Sequence, residues 1–204
     1  MTPIHASDKK ALARLLAVGR TADRAFDRRV AAVVRRVRAE GDRALERFAR
    51  RFDGVEPPLE ISREEMQREA AKAPADVRRA IRQAARNIAR VAAKQIPKTW
   101  TVTVRPGVKV TQRVEPLGRV GCYVPGGRFP LPSSLLMTAV PARVAGVREI
   151  IAVCPRPEPA VMAAALEAGV TRLFRVGGAH AIAALAYGTA SVPRVDKIDR
   201  KSVV

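Results

Sequence analysis

From Gly118 onward, strand-like runs rich in Val and Ile alternate with helix-like runs, and no other feature constrains the fold of this chain as strongly. The strand-like runs are Arg119–Val124, Glu149–Cys154, Leu173–Val176 and a further one opening at Val195–Ile198. Between them, Ser133–Ala145, Ala160–Ala168 and Ala179–Tyr187 read as helices, followed by Gly146, Gly169 and Gly188. Glycine just beyond a helix is a favoured C-cap because it enters the left-handed region without a Cβ clash. A β-α-β-α-β-α order forces parallel pairing through right-handed crossovers. Ligands of such a sheet gather at the carboxyl ends of its strands.

The segment upstream is of another character. Phe26, Val30, Val33, Val34 and Val37 recur at three- and four-residue steps, the stripe of an amphipathic helix that starts at Thr21 or Asp23. A short helix is expected before it, over residues 8–20. Gly41 interrupts the stripe, and Leu45, Phe48 and Phe52 continue it to Asp53-Gly54. Pro57-Pro58 reads as a linker. Ser62 with Glu65 three residues on is a capping box for a helix through about Ala73. Another runs from Pro74 and Asp76 to Gln95, with Val77, Ile81, Ala84, Ile88 and Val91 on one face. Thr99–Val104 and Val108–Val114 alternate like strands around Gly107 and predict a hairpin. The expected class is therefore α/β: an N-terminal helical region with a short β-hairpin over 1–113, then an incomplete doubly wound, Rossmann-like parallel sheet over 114–204.

The stretch with most chemistry in it is Val120–Ala145, VGCYVPGGRFPLPSSLLMTAVPARVA. Pro125, Gly126, Gly127, Pro130 and Pro132 end the strand and turn the chain. Ser133 or Ser134 is expected to cap the following helix, and Pro141 to kink or restart it. A strand-loop-helix junction presents backbone N–H groups at the helix start, where a phosphate can be held. Gly177-Gly178 follows another strand. Such glycines either let a ligand approach the backbone or simply make the turn, and spacing alone does not choose. A strict G-x-G-x-x-G is absent. Tyr123 ends a strand on the functional edge and can stack on or hydrogen-bond a ligand, or pack in the core. His180 stands in the first turn of a helix and either contacts a ligand or is structural.

Other chemistries find less support. The chain has two histidines, His5 and His180, and catalytic zinc needs about three protein ligands close together. A Ser133, His180, Asp196 triad lacks a nucleophile elbow. Cys122 and Cys154 lie far apart on apolar segments and read as buried structural thiols. No apolar run approaches the roughly 18 residues of a membrane span, and MTPIHASDKK has no apolar signal core, so the cytoplasm is expected. The formal net charge of +19 is concentrated in residues 1–113, which carry 27 Lys and Arg against 13 acids. Aromatic residues are 4% of the chain, so platforms for stacking bases are few. A solvated basic face is expected rather than a nucleic-acid partner.

Val120–Ala145, with YVPGG and LPSSLLMTAVPARVAG, and Phe174–Ile198, FRVGGAHAIAALAYGTASVPRVDKI, closely resemble the histidinol dehydrogenase family. Glu40–Gly54 (EGDRALERFARRFDG), Asn87-Ile88, Gln95 and Trp100 resemble it too. The resemblance implies NAD-dependent oxidation of L-histidinol to L-histidine through the aldehyde level, the last steps of histidine biosynthesis. It also implies a zinc requirement and a homodimer with shared active sites. Cofactor-binding positions carried over by the resemblance are Tyr123 and the position of His180, where the family has glutamine. Histidine cannot reproduce an amide's paired donor and acceptor. After VDKI the family continues into a Gly-Pro-Gly-Asn turn, whereas this chain reads DRKSVV. The family's zinc ligands, its catalytic Glu-His pair and its substrate residues lie beyond that point, so no catalytic or metal residue is assigned. The expectation is an N-terminal portion, inactive alone. The alternative is a non-enzymatic basic module that binds nucleic acid or, weakly, NAD.

Overall fold

A computed structural model describes residues 8–10, 23–126 and 131–200. Most of the helix expected over 8–20, the Gly127–Pro130 part of the glycine-proline loop and residues 201–204 lie outside the described residues. In chain order the elements are α1 (Arg24–Glu40), α2 (Asp42–Phe48), a π-helical turn (Ala49–Asp53), β1 (Glu60–Ile61), α3 (Arg63–Ala71), α4 (Ala75–Gln95), β2 (Trp100–Arg105), β3 (Val108–Gln112), β4 (Arg119–Tyr123), α5 (Pro132–Val144), β5 (Glu149–Val153), α6 (Pro159–Ala168), β6 (Arg172–Phe174), α7 (Gly178–Tyr187) and β7 (Lys197–Arg200).

The main sheet has the order β1-β6-β5-β4-β7, and β2 pairs with β3 in a separate hairpin. β4, β5, β6 and β7 are parallel, as the alternation predicts. The chain steps outward from β4 through β5 to β6, then returns to place β7 on the other flank of β4. The boundary between β4 and β7 is therefore the topological switch point, where connections leave in opposite directions and a crevice opens.

Strand side chains alternate between two helical layers, because successive residues of a pleated strand face opposite ways. Val120, Cys122, Val124, Ile150, Ala152 and Leu173 join a core with Met66 of α3, Ile81 of α4, Leu135 of α5 and Val161 of α6. Ile151, Val153 and Phe174 join the other core, with Val37 of α1, Leu45 and Phe48 of α2 and Leu185 of α7. Helices from the first hundred residues thus cover both faces of a sheet built mainly from the second hundred.

Several local expectations are met by the bonds that form. Asp23 caps α1, its carboxylate accepting from the Ala25 and Phe26 amides at 3.0 Å. Gly54 and Gly169 adopt left-handed conformations behind their helices. Gly107, at φ +79°, turns the hairpin.

Four details differ. The edge strand β1 is new: Glu60 and Ile61 pair antiparallel with Phe174 and Leu173, so the Pro57-Pro58 stretch delivers a strand to the sheet. Ser62 Oγ accepts from the Glu65 amide at 3.1 Å, but the Glu65 carboxylate pairs with Arg175 instead of completing the capping box. Neither Ser133 nor Ser134 caps α5. The helix starts one residue earlier at Pro132, with Leu131 at its cap position, since proline arrives with a helical φ and has no N–H to leave orphaned. Finally, α5 runs through Pro141 to Val144 as one element, so the proline does not restart the helix.

Candidate functional site

Tyr123 is the last residue of β4 and stands opposite Arg200 of β7 in the parallel register. It faces the α1–α2–α7 layer and is half-buried. Its hydroxyl accepts a hydrogen bond from the Gly178 N–H at 3.1 Å. Gly178 begins α7 at φ +55°, a conformation that costs other residues free energy. A cleft of about 380 Å³ opens here, lined by Tyr123, Gly178, Ile182, Ile198 and Arg200. It lies at the switch point, between the ends of β4 and β7 and the start of α7. Its size falls in the range of about 300–1,000 Å³ usual for small-molecule sites. One aromatic ring, two isoleucines and one guanidinium give it an apolar lining with one fixed positive charge.

The glycines beside the cleft make close approaches. A Cβ on Gly126 would stand 2.4 Å from Pro155 Cγ, and one on Gly177 would stand 2.9 Å from the same atom. Gly126 and Gly177 therefore both pack against the Pro155 ring. Packing accounts for Gly126 and Gly177, whereas Gly178 is set by its backbone angle and its bond to Tyr123.

His180 is fully buried in the first turn of α7. Its ring lies 6.0 Å, centroid to centroid, from both Phe48 and Phe52, which stack on each other. Its Nε2 is 2.8 Å from Asp53 Oδ2, and the same oxygen accepts the Gly177 N–H at 2.9 Å. Tyr123 and His180 thus meet the same turn from opposite sides: Tyr123 at the cleft, His180 against the helical layer. The start of α5 offers less to an anion than the sequence suggests. Pro132 has no N–H, and that of Ser134 is given to the Leu131 carbonyl. The start of α7 likewise gives its Gly177 and Gly178 N–H groups to Asp53 and Tyr123. Ser133, His180 and Asp196 are not brought together, since Asp196 accepts from the Arg119 amide at 2.8 Å while His180 is held by Asp53.

Asp53, Ile182 and Arg200 were not legible as site residues. Asp53 carries one weak signal, a carboxylate before a helix-terminating glycine, and nothing in its spacing points to a residue more than a hundred positions away. A larger groove of about 510 Å³ lies on the other side of the sheet, between the end of α4, Glu115–Leu117 and α5. It is bordered by Lys197 and Asp199 but presents no glycine turn or helix start, and it is the weaker candidate for a nucleotide.

Among the described residues no group of three or more His, Cys, Asp or Glu is placed to hold a metal ion. No helix there is long and apolar enough to cross a membrane. Cys122 and Cys154 are free and buried, and burial pushes both thiols up to about 11.

A family model described as histidinol dehydrogenase matches residues 17–199. The histidinol dehydrogenase of Syntrophotalea carbinolica is 46% identical over 195 residues, covering 92% of this chain and 45% of the relative. That of Geobacter sulfurreducens is 46% identical over 194 residues, covering 91% and 45%. The crystal structure of histidinol dehydrogenase from Elizabethkingia anophelis superposes with a TM-score of 0.82 at 28% identity, over 87% of this chain and 42% of that one. The chain spans just under half the length of the curated relatives it matches. A family model covering all but the two ends, relatives at this level of identity and a shared fold together show that the chain belongs to the histidinol dehydrogenase family.

Proposed function

We propose that this chain carries a dinucleotide seat of an NAD-dependent oxidoreductase that acts on L-histidinol in histidine biosynthesis, in the cytoplasm and as a homodimer. The observation that carries the reading is the cleft at the β4–β7 switch point, walled by Tyr123 and the glycine turn of α7, in a chain of this family. Bound NAD supplies the acceptor for hydride. The protein's part is to hold it: the Tyr123 ring offers a flat apolar wall, Arg200 offers a charge-assisted partner for phosphate oxygens, and Gly178 lets a ligand approach the backbone. Zinc, which the family resemblance implies, finds no ligand set among the described residues. The resemblance implies that the family's reactive residues correspond to positions after Ile198. We therefore expect no NADH from L-histidinol with these 204 residues alone.

Titration of the chain with NAD, followed by calorimetry, tests the seat. Saturable binding is expected, weakened roughly tenfold or more by Tyr123→Ala, which removes the ring face and its area from the contact. Arg200→Ala is expected to weaken binding and to flatten its dependence on salt. Absence of saturable binding by the folded chain, or equal affinity in Tyr123→Ala, would overturn the reading.

A further inference from the structure

We propose that Asp53 is a positioning residue of the nucleotide seat, holding the Gly177 N–H and the His180 ring on one carboxylate oxygen and so setting Gly178 against Tyr123. The inference rests on the nucleotide reading above but concerns a residue outside the cleft. Asp53 closes the π-helical turn Ala49–Asp53 that continues α2. Turns of this kind are rare, and those that occur are frequently at functional sites. Here the turn directs a carboxylate, 10% exposed, under the start of α7. Its Oδ2 receives the Gly177 N–H at 2.9 Å and lies 2.8 Å from His180 Nε2. An ionised carboxylate only accepts, so Nε2 is the nitrogen that carries the proton.

The next amide along, that of Gly178, goes to the Tyr123 hydroxyl at 3.1 Å. Two consecutive N–H groups are thus taken up by side chains from distant parts of the chain, one on each side of the turn. Phe48 and Phe52 pack beside the His180 ring, which is buried. His180 acts on the seat through Asp53 and the helix it belongs to, not by touching a ligand. Hydrogen bonds to a charged group in a buried place are among the strongest a side chain makes. A turn held this way is preorganised before a ligand arrives, which lowers the cost of binding.

The test uses the isotopically labelled full chain, with NAD itself as probe. In Asp53→Ala the Gly178 amide and Tyr123 ring resonances are expected to move, although the substituted residue touches neither. NAD affinity is expected to fall roughly tenfold, as for the loss of one hydrogen bond to a charged group. Asp53→Asn, whose amide oxygen can still accept both donors, is expected to restore most of both readouts. A purely structural role would lower stability in both variants without this rescue. Unmoved Gly178 and Tyr123 resonances in a folded Asp53→Ala chain, or equal loss in the Ala and Asn variants, would overturn the proposal. If Asp53→Ala does not fold, His180→Phe decides. It keeps an aromatic ring beside Phe48 and Phe52 but removes the donor, and movement of the same resonances supports the proposal while their constancy overturns it. If the parent chain binds no NAD yet these resonances respond, the nucleotide reading fails and the positioning of the turn stands.

Discussion

Gly121→Val is expected to destabilise the chain by roughly 3 kcal/mol, the upper end for forcing extra methyl groups into a packed core. For a chain of this size that is a fall of roughly 6–12 °C in Tm. Gly121 sits in the middle of β4, facing α7. A Cβ there would stand 2.9 and 3.0 Å from the two terminal methyls of Leu185 and 3.3 Å from Val195 Cγ2. Leu185 is fully buried, so its methyls have no solvent to retreat into, and the leucine and the helix that carries it must give way. That movement reaches the site. Tyr123 lies two residues on along the same strand face, and α7 carries Gly178 to the Tyr123 hydroxyl. The Gly121→Val chain is therefore expected to weaken NAD binding as well as to melt earlier. The two outcomes are separable in a cycle with Leu185→Ala, which costs about 2–5 kcal/mol alone by opening a cavity. In the double variant the valine fills space that the leucine left, so the losses should fall short of additivity by about 0.5–3 kcal/mol. Thermal melts of the four chains check this; a Gly121→Val melt coincident with the parent, or strictly additive losses, would refute the close approach.

Glycine inside a strand is a readable sign that something comes near the backbone, but it does not say what. The same limit recurs across the molecule. The β-α alternation from Gly118 onward was legible because each element carries its own signal: β-branched runs for β4 and β5, and a left-handed glycine behind α6. The edge strand β1 carries none. Two residues between Pro57-Pro58 and a helix have no period, and they become a strand because Leu173 and Phe174 offer them a ladder. Glu65 looks like half of a capping box from local spacing, yet Arg175 takes its carboxylate from more than a hundred residues away. Tyr123 could be placed at the strand end and the functional rim from sequence. That its hydroxyl meets Gly178, and that His180 turns to Asp53, depends on tertiary packing that no local pattern encodes. Sequence gave the scaffold of the site and one wall. The partners that hold the turn are long-range and became visible only in the fold.

The chain is also expected to lose stability steeply as pH rises from about 9 to 11, with Cys122 and Cys154 as a measurable part of the cause. Burial pushes both thiols up to about 11 from an ordinary value of 9.0, outweighing the Thr138 hydrogen bond at Cys122 and a backbone hydrogen bond from Arg156 at Cys154. Below pH 9 both states hold these protons and the thiols confer no pH dependence. Between 9 and 11 the unfolded chain releases them while the folded chain keeps them, so the unfolded state binds fewer protons and folding stability falls with pH. Two pKa units correspond to about 3 kcal/mol for each thiol. Two such groups make a sizeable fraction of the roughly 5–15 kcal/mol that stabilises a typical protein. Lysines and tyrosines titrate in the same range, so the measurement is a difference. Urea unfolding at pH 8 and pH 10.5 should show a larger drop for the parent than for Cys122→Ala/Cys154→Ala, which shares every other titrating group. Parallel drops in the two chains would remove the thiols from the account. The same burial predicts that at pH 8 an aromatic disulfide reagent labels the native chain roughly a hundredfold more slowly than the urea-unfolded chain, since each pKa unit costs tenfold in thiolate. Cys122 belongs to β4, one residue before Tyr123. Fast labelling at Cys122 in the native chain would mean that β4 opens readily, and a strand that opens readily cannot hold Tyr123 as the fixed wall of a ligand site.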